Sequence, residues 1–199
     1  MNPSPATASL EETHGRPKFP QPPRGAEPAP SERLRAHEWL AKAIGLASPV
    51  ADDVCRRPGG ALNVVCPQCT TKNRVPAQRT AQDPHCGKCG AILLPAEPID
   101  LSDLNFERVI AGTELPVVVD FHAHWCGPCR TMAPHFARAA EQAKGRALFV
   151  KVDSDASPAT AARFAVRSIP TVVRLERGAE VERFSGVRSA ADLVRFALG

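Results

Sequence analysis

VVVDFHAHWCGPCRTMAP, residues 117 to 134, begins as an almost unbroken apolar run and ends as a helix-forming stretch, with two cysteines at the changeover. PVVVDF (Pro116 to Phe121) is apolar except for Asp120, which predicts a strand covered on both faces. A helix is expected from the cysteine pair to about Ala143, with Pro128 tolerated in its first turn and Pro134 bending it. Cys126 then falls at a helix N-terminus, where unpaired N–H groups and the helix dipole favour a thiolate. The thiolate is the attacking species in disulfide exchange, so Cys126 takes the nucleophile's part. Cys129, one turn inside, is expected to be shielded and to resolve the mixed disulfide.

On either side of this segment the pattern alternates. Ser102 to Ala111 reads as a helix, ALFVKVD (Ala147 to Asp153) as a second buried strand, and Ser157-Pro158 as the start of a helix through Phe164. TVVRLE (Thr171 to Glu176), a turn at Arg177-Gly178 and EVERF (Glu180 to Phe184) read as a hairpin, and Ser189 caps a last helix through Leu198. Strands separated by helices imply parallel pairing, with the hairpin as an antiparallel edge.

Two more cysteine pairs lie upstream, CPQC (Cys66, Cys69) and CGKC (Cys86, Cys89), with 16 residues between them. Each turn aims two thiolates at one point, and two such knuckles supply a tetrahedron of sulfurs, so the spacing reads as one structural zinc ion held by Cys66, Cys69, Cys86 and Cys89. A segment of about 35 residues with little apolar mass gains its folding free energy from the metal. Two separate redox dithiols or two disulfides are the alternatives. They are disfavoured because neither pair follows a recognisable strand or precedes a helix.

Residues 1–61 differ again. Eight of the 20 prolines precede Ser31, and large apolar residues are scarce there, so this extension is expected to be disordered apart from one amphipathic helix over 31–47. Cys55, the unpaired member of seven cysteines, reads as an idle thiol. The net charge of +4 is spread as +1, +2 and +1 over residues 1–61, 62–97 and 98–199. That is no footprint for nucleic acid or a membrane surface. No run of 18 apolar residues and no basic-then-apolar N-terminus is present, so a cytoplasmic address is expected, where paired cysteines bind metal or turn over.

The segment quoted first resembles the active site of thioredoxin, and the likeness continues through FVKVD, SIPT and SGV, covering Ile99 to Leu198. With the knuckles ahead of it, the chain from Leu62 is similar to the zinc-containing bacterial thioredoxins of the thioredoxin 2 type. The resemblance implies an α/β thioredoxin fold, a central mixed β-sheet flanked by helices, preceded by a small four-cysteine zinc ribbon. The domains are then 62–97 and 98–199. It also implies a monomeric disulfide reductase that acts on client proteins and is regenerated by an NADPH-dependent thioredoxin reductase, with no organic cofactor of its own. Asp120 corresponds to the buried aspartate beneath the cysteines, where desolvation raises its pKa and lets it exchange a proton with Cys129. The plainer alternative is an Asp120 simply paired with Lys151. Pro170 matches a proline that is cis in the family, and Ile169 then offers a backbone edge for an extended client segment. Trp125, Gly127, Pro128 and Gly186 line the same surface.

Two departures stand out. His122 occupies a position where the family usually has tryptophan, and His124 adjoins Trp125; solvated imidazoles are the expectation for them. Leu62-Asn63-Val64 resembles the usual start of such proteins, which leads to the expectation that translation begins near Leu62. A disulfide oxidase or isomerase, and a thioredoxin-like binding module without turnover, are the rival readings.

Overall fold

The computed structural model describes residues 60–199; the helix expected over 31–47 and Cys55 lie outside them. The short segments ALNVV and KNRVP form a two-stranded antiparallel sheet, β1 (Ala61–Val65) and β2 (Lys72–Pro76), in which Leu62 and Val75 are paired and buried. The chain continues through β3 (Ile99–Asp100), α1 (Phe106–Gly112), β4 (Val117–His122), α2 (Gly127–Gln142) and β5 (Leu148–Asp153). It ends with α3 (Pro158–Arg163), β6 (Thr171–Glu176), β7 (Ala179–Ser185) and α4 (Ala190–Leu198). The five later strands make one mixed sheet in the order β3-β5-β4-β6-β7.

All six residues of β4 are buried, as its apolar run requires. Val117, Val119 and Phe121 face a core shared with α1 and the β1–β2 unit, while Val118 faces α2 and α4. The two-residue period of a strand therefore puts Asp120 and His122 on the α2 side. α4 starts as expected, with Ser189 Oγ accepting a hydrogen bond from the Asp192 amide.

Three expectations need correction. Helix-separated strands pair in parallel for β4 and β5 but not for β6, which runs antiparallel to β4. The six residues of α3 rise only about 9 Å, whereas a six-residue strand spans about 20 Å. The chain leaving β5 thus remains at the same end of the sheet and must enter β6 from there. Secondly, the helix expected from Ser102 starts at Phe106: Asn105 Oδ1 accepts from the Ser102 amide, and Ser102 O accepts from the amides of Asn105 and Phe106. This local closure competes with helical pairing and delays it by one turn. Finally, the first knuckle does follow a strand, since β1 ends at Val65, beside Cys66. Five residues with a single polar member were too short to be told from a loop.

The β1–β2 unit is docked on the later sheet. Asn63 O accepts from the Glu114 amide, Glu114 Oε2 from the Asn63 amide, and Thr113 Oγ1 from the Val65 amide. Leu62, Val64, Leu93 and Leu94 join Phe106, Val109 and Ile110 in one buried core. A second attachment lies at Gly145, where an added Cβ would stand 2.7 Å from the Ala81 nitrogen, next to a Lys144–Asp83 ion pair of 2.7 Å.

Candidate active site and metal centre

The two knuckles are built alike. In the first, the Cys66 amide donates to Thr71 O and Cys66 O accepts from Thr70; in the second, the Cys86 amide donates to Ala91 O and Cys86 O accepts from Gly90. The closing residues, Thr70 (φ 54°) and Gly90 (φ 76°), are both left-handed, of which only the glycine advertised itself in sequence. Asn73, which sequence reasoning missed, ties the pair: its Nδ2 lies 3.6 Å from Cys86 Sγ and its Oδ1 accepts from the Gly87 amide. Nothing singles out one polar residue between Lys72 and Arg74 in a short strand.

All four sulfurs lie within 4.8 Å of one another, with Cys66–Cys89 and Cys69–Cys86 at 3.6 Å. A tetrahedral zinc with bonds of about 2.3 Å sets its sulfurs about 3.8 Å apart, so the residues fit the ion. Backbone N–H groups of Cys89 and Lys88 lower the Cys86 thiol to about 6, toward the thiolate a metal needs. Burial pushes Cys66 up to about 12 in the absence of an ion.

The third pair is different in kind. Cys126 is the N-cap of α2, and its sulfur accepts from the Cys129 amide at 3.2 Å and is joined to Cys129 Sγ in a disulfide. The same sulfur lies 3.7 Å from Ile169 O, and the Ile169–Pro170 peptide is cis. The expected contrast in exposure is not seen here. Cys126 is 3% and Cys129 5% exposed, because the disulfide draws both sulfurs against Ala123 and Ile169. What separates them is position, with Cys126 at the helix end and Cys129 lining a cavity that reaches the exposed His124.

That cavity, about 180 Å³, also reaches Asp120 and Lys151. Asp120 is 1% exposed; burial lifts its carboxyl to about 7, with the Lys151 ammonium pulling weakly the other way. No salt bridge joins the two, and Asp120 Oδ1 has no hydrogen-bond partner, so Asp120 is not the simple ion-paired residue of the plainer alternative.

Around the disulfide the other expected residues come together as a rim. Trp125 is 70% exposed and donates from Nε1 to Asp155 Oδ2 at 2.8 Å; Gly127 and Pro128 are exposed; and Gly186, left-handed at φ 94°, donates its amide to Pro170 O. Asp153 and Asp155 were not singled out by sequence. Only the parallel register of β5 with β4 brings Asp153 under His124, where Nε2 and Oδ2 are 3.0 Å apart. His124 is solvated as expected, but His122 is buried beneath α2, because β4 extends one residue past Phe121.

A dithiol–disulfide pair at a helix N-terminus on a mixed sheet, beside a zinc-binding four-cysteine ribbon, defines a thiol–disulfide oxidoreductase. Comparison with known proteins agrees: residues 97–198 match the Thioredoxin family model, and residues 65–91 match that of "Thioredoxin 2, N-terminal". The chain is 47% identical to Thioredoxin C-3 of Corynebacterium nephridii over 130 residues, 65% of this chain and 89% of that protein. It is 36% identical to a thioredoxin of Haemophilus influenzae over 51% of this chain and 94% of that protein. The chain belongs to the thioredoxin family and is a protein disulfide reductase, with disulfide-bearing clients and thioredoxin reductase as its general partners.

Proposed function

We propose that the reduced chain attacks client disulfides through Cys126, that Cys129 then resolves the mixed disulfide, and that Asp120 accepts the Cys129 proton, tuned by Lys151. The observation that carries this is the Cys126–Cys129 disulfide at the start of α2, above a buried carboxyl held near neutrality. In the first step the Cys126 thiolate bonds to one client sulfur and the other leaves as thiolate. In the second, Cys129 gives its proton to Asp120, bonds to Cys126 Sγ and releases the remaining client sulfur. Two electrons pass from the dithiol to the client.

A client segment lies in extended form along Ile169, Pro170 and Gly186, flanked by Trp125, Gly127 and Pro128. The exposed indole and the free rim of these residues support that placement. One zinc ion is held by Cys66, Cys69, Cys86 and Cys89, with all four positions taken by sulfur, so its role is structural. Residues 62–97 act as the ribbon domain and 98–199 as the thioredoxin domain. The chain works as a monomer in the cytoplasm, where thiols stay reduced, and draws its electrons from an NADPH-dependent thioredoxin reductase. Among the described residues no helix is long and apolar enough to cross a membrane.

Insulin reduction with dithiothreitol tests the proposal. The wild type accelerates it, Cys126→Ser abolishes the effect, and Cys129→Ser traps clients as mixed disulfides through Cys126. A Cys129→Ser protein that captures no client covalently overturns these assignments.

A further inference from the structure

Beneath Cys129 the sheet carries a two-by-two array of titratable groups. Asp120 and His122 are two residues apart on β4 and share its α2 face, and the parallel register sets Lys151 beside Asp120 and Asp153 beside His122. The cavity against them is bounded by Asp120, His122, His124, Cys129, Arg130 and Lys151. Its volume of about 180 Å³ admits several waters at about 30 Å³ of liquid each. One end is a carboxyl 1% exposed, and the other is the His124 side chain, 90% exposed. His122 stands at that same wall, 9% exposed, its ring edge-on to His124 with centroids 6.0 Å apart.

The chemistry can use such a passage. In the proposed mechanism oxidation of the dithiol leaves one proton on Asp120 and regeneration returns one to Cys129, so in the interval a carboxyl lifted to about 7 exchanges its proton with solvent by whatever path the fold provides. We propose that His122 carries this proton between Asp120 and solvent, with His124 at the outlet. The inference rests on the proton-accepting role of Asp120. Cys129 Sγ–H breaks and the proton bonds to the Asp120 carboxylate; the Cys129 electron pair forms the bond to Cys126, and the client sulfur leaves with the pair of the broken S–S bond. Asp120 then passes the proton to one ring nitrogen of His122, whose other nitrogen releases one to water beside His124 and Asp153. His122 acts through Asp120, as a relay and not as a group on the reacting sulfurs.

The surroundings suit this task. Burial first, then Lys151 and His124, hold His122 below the usual imidazole range against the opposing pull of Asp153 and Asp100. At neutral pH the ring is therefore uncharged, one nitrogen an acceptor and the other a donor. Asp120, lifted by burial to about 7, stands at neutral pH between its two forms and can both take up and give up a proton. The remaining groups facing the passage are Arg130 and Cys129, both from α2.

The test is a pH-jump measurement in which a preformed Cys126 mixed disulfide is held at pH 5.5, where Asp120 is protonated, and shifted to a final pH of up to 9, so that Cys129 attack waits until Asp120 has lost its proton. His122→Phe, which keeps an apolar ring but no exchangeable proton, should slow this step about tenfold at pH 7. That is less than the roughly hundredfold of losing a direct general base, because water still carries protons. Added imidazole should restore the rate, and the solvent isotope effect should rise. His122→Gln is measured alongside in case the larger change impairs folding. If both variants keep the wild-type pH profile while Asp120→Asn is slow, the relay is wrong and the role of Asp120 stands. If the variants are slow but unmoved by imidazole and show no isotope change, His122 is structural and the relay is again wrong. Should Asp120→Asn itself react like the wild type, the reading of Asp120 fails and the relay with it.

Discussion

Asp120 and Lys151 are register partners on adjacent parallel strands, yet no ion pair joins them and one carboxylate oxygen is left without any partner. The folded carboxyl sits near 7 and the unfolded one near 3.8. Between those values the folded protein retains a proton that the unfolded chain gives up. Stability from this group is therefore full below about pH 4, declines as pH rises through the window and is gone above about 7. At pH 8 the buried charge costs about 4 kcal/mol. Asp120→Asn should match the wild type near pH 4 and exceed it by up to about that amount at pH 8. Urea unfolding at the two pH values checks this, and a difference that does not change with pH contradicts the burial account.

Gly112 and Val65 fix where the ribbon meets the body. A Cβ on Gly112 would stand 2.4 Å from Val65 Cγ2, a contact that one of the two chains must relieve. Helix propensity alone favours Gly112→Ala by about 0.5–1 kcal/mol. Overpacking against a stiff β-branched side chain costs about 1–3 kcal/mol, so the clash should win. The expected outcome is a net loss of about 1–2 kcal/mol in urea unfolding, largely recovered in Gly112→Ala/Val65→Ala relative to Val65→Ala alone. Additive losses would mean that the ribbon yields freely.

These contacts mark how far the sequence could be read. The β4 run, the cysteine at a helix end, and the two knuckles were legible because each is a local pattern: apolar period, turn chemistry, spacing. What depended on tertiary closure was not. The antiparallel entry of β6 follows from the length of α3 measured against the sheet, and Ile99–Asp100 is a strand only because β5 lies beside it. In the site, Asp153, Asp155 and Asn73 act across elements, and no sequence interval of theirs signals it. His122 was misjudged for the same reason: its burial comes from α2 lying over it, not from its neighbours in the chain.

Zinc removal should separate the two cysteine systems. The metal's sulfurs come from the ribbon alone, whereas Cys126 and Cys129 are held by β4 and α2. Stripping the ion with a strong chelator should make Cys66, Cys69, Cys86 and Cys89 reactive toward alkylating agents. The melting temperature should fall, because Leu62, Val64, Leu93 and Leu94 belong to the same buried core as α1. Insulin reduction at 25 °C should stay within about twofold of the zinc-loaded protein, a difference of only about 0.4 kcal/mol in barrier. Metal content, thiol counts and reduction rate measured on the same samples decide it; a rate that falls in proportion to zinc would tie the ribbon to the chemistry.

Trp125 and Asp155 give a way to test the client-facing rim without touching the sulfurs. The indole is largely exposed and is oriented by its Nε1–H bond to Asp155, whose backbone amide is itself fixed by Asp153 Oδ1. Asp155→Ala removes the bond but leaves β4, α2 and Asp120 in place. A neutral hydrogen bond contributes about 1 kcal/mol and one to a carboxylate somewhat more, so freeing the ring should weaken the productive client complex about five- to tenfold. A protein disulfide lies across the rim, whereas a small aromatic disulfide meets little beyond the sulfurs. KM for insulin should therefore rise by that factor with kcat nearly constant, and the rate with the small disulfide should be unchanged. Equal losses on both substrates would place the effect of Asp155 at the reacting sulfurs instead of the rim.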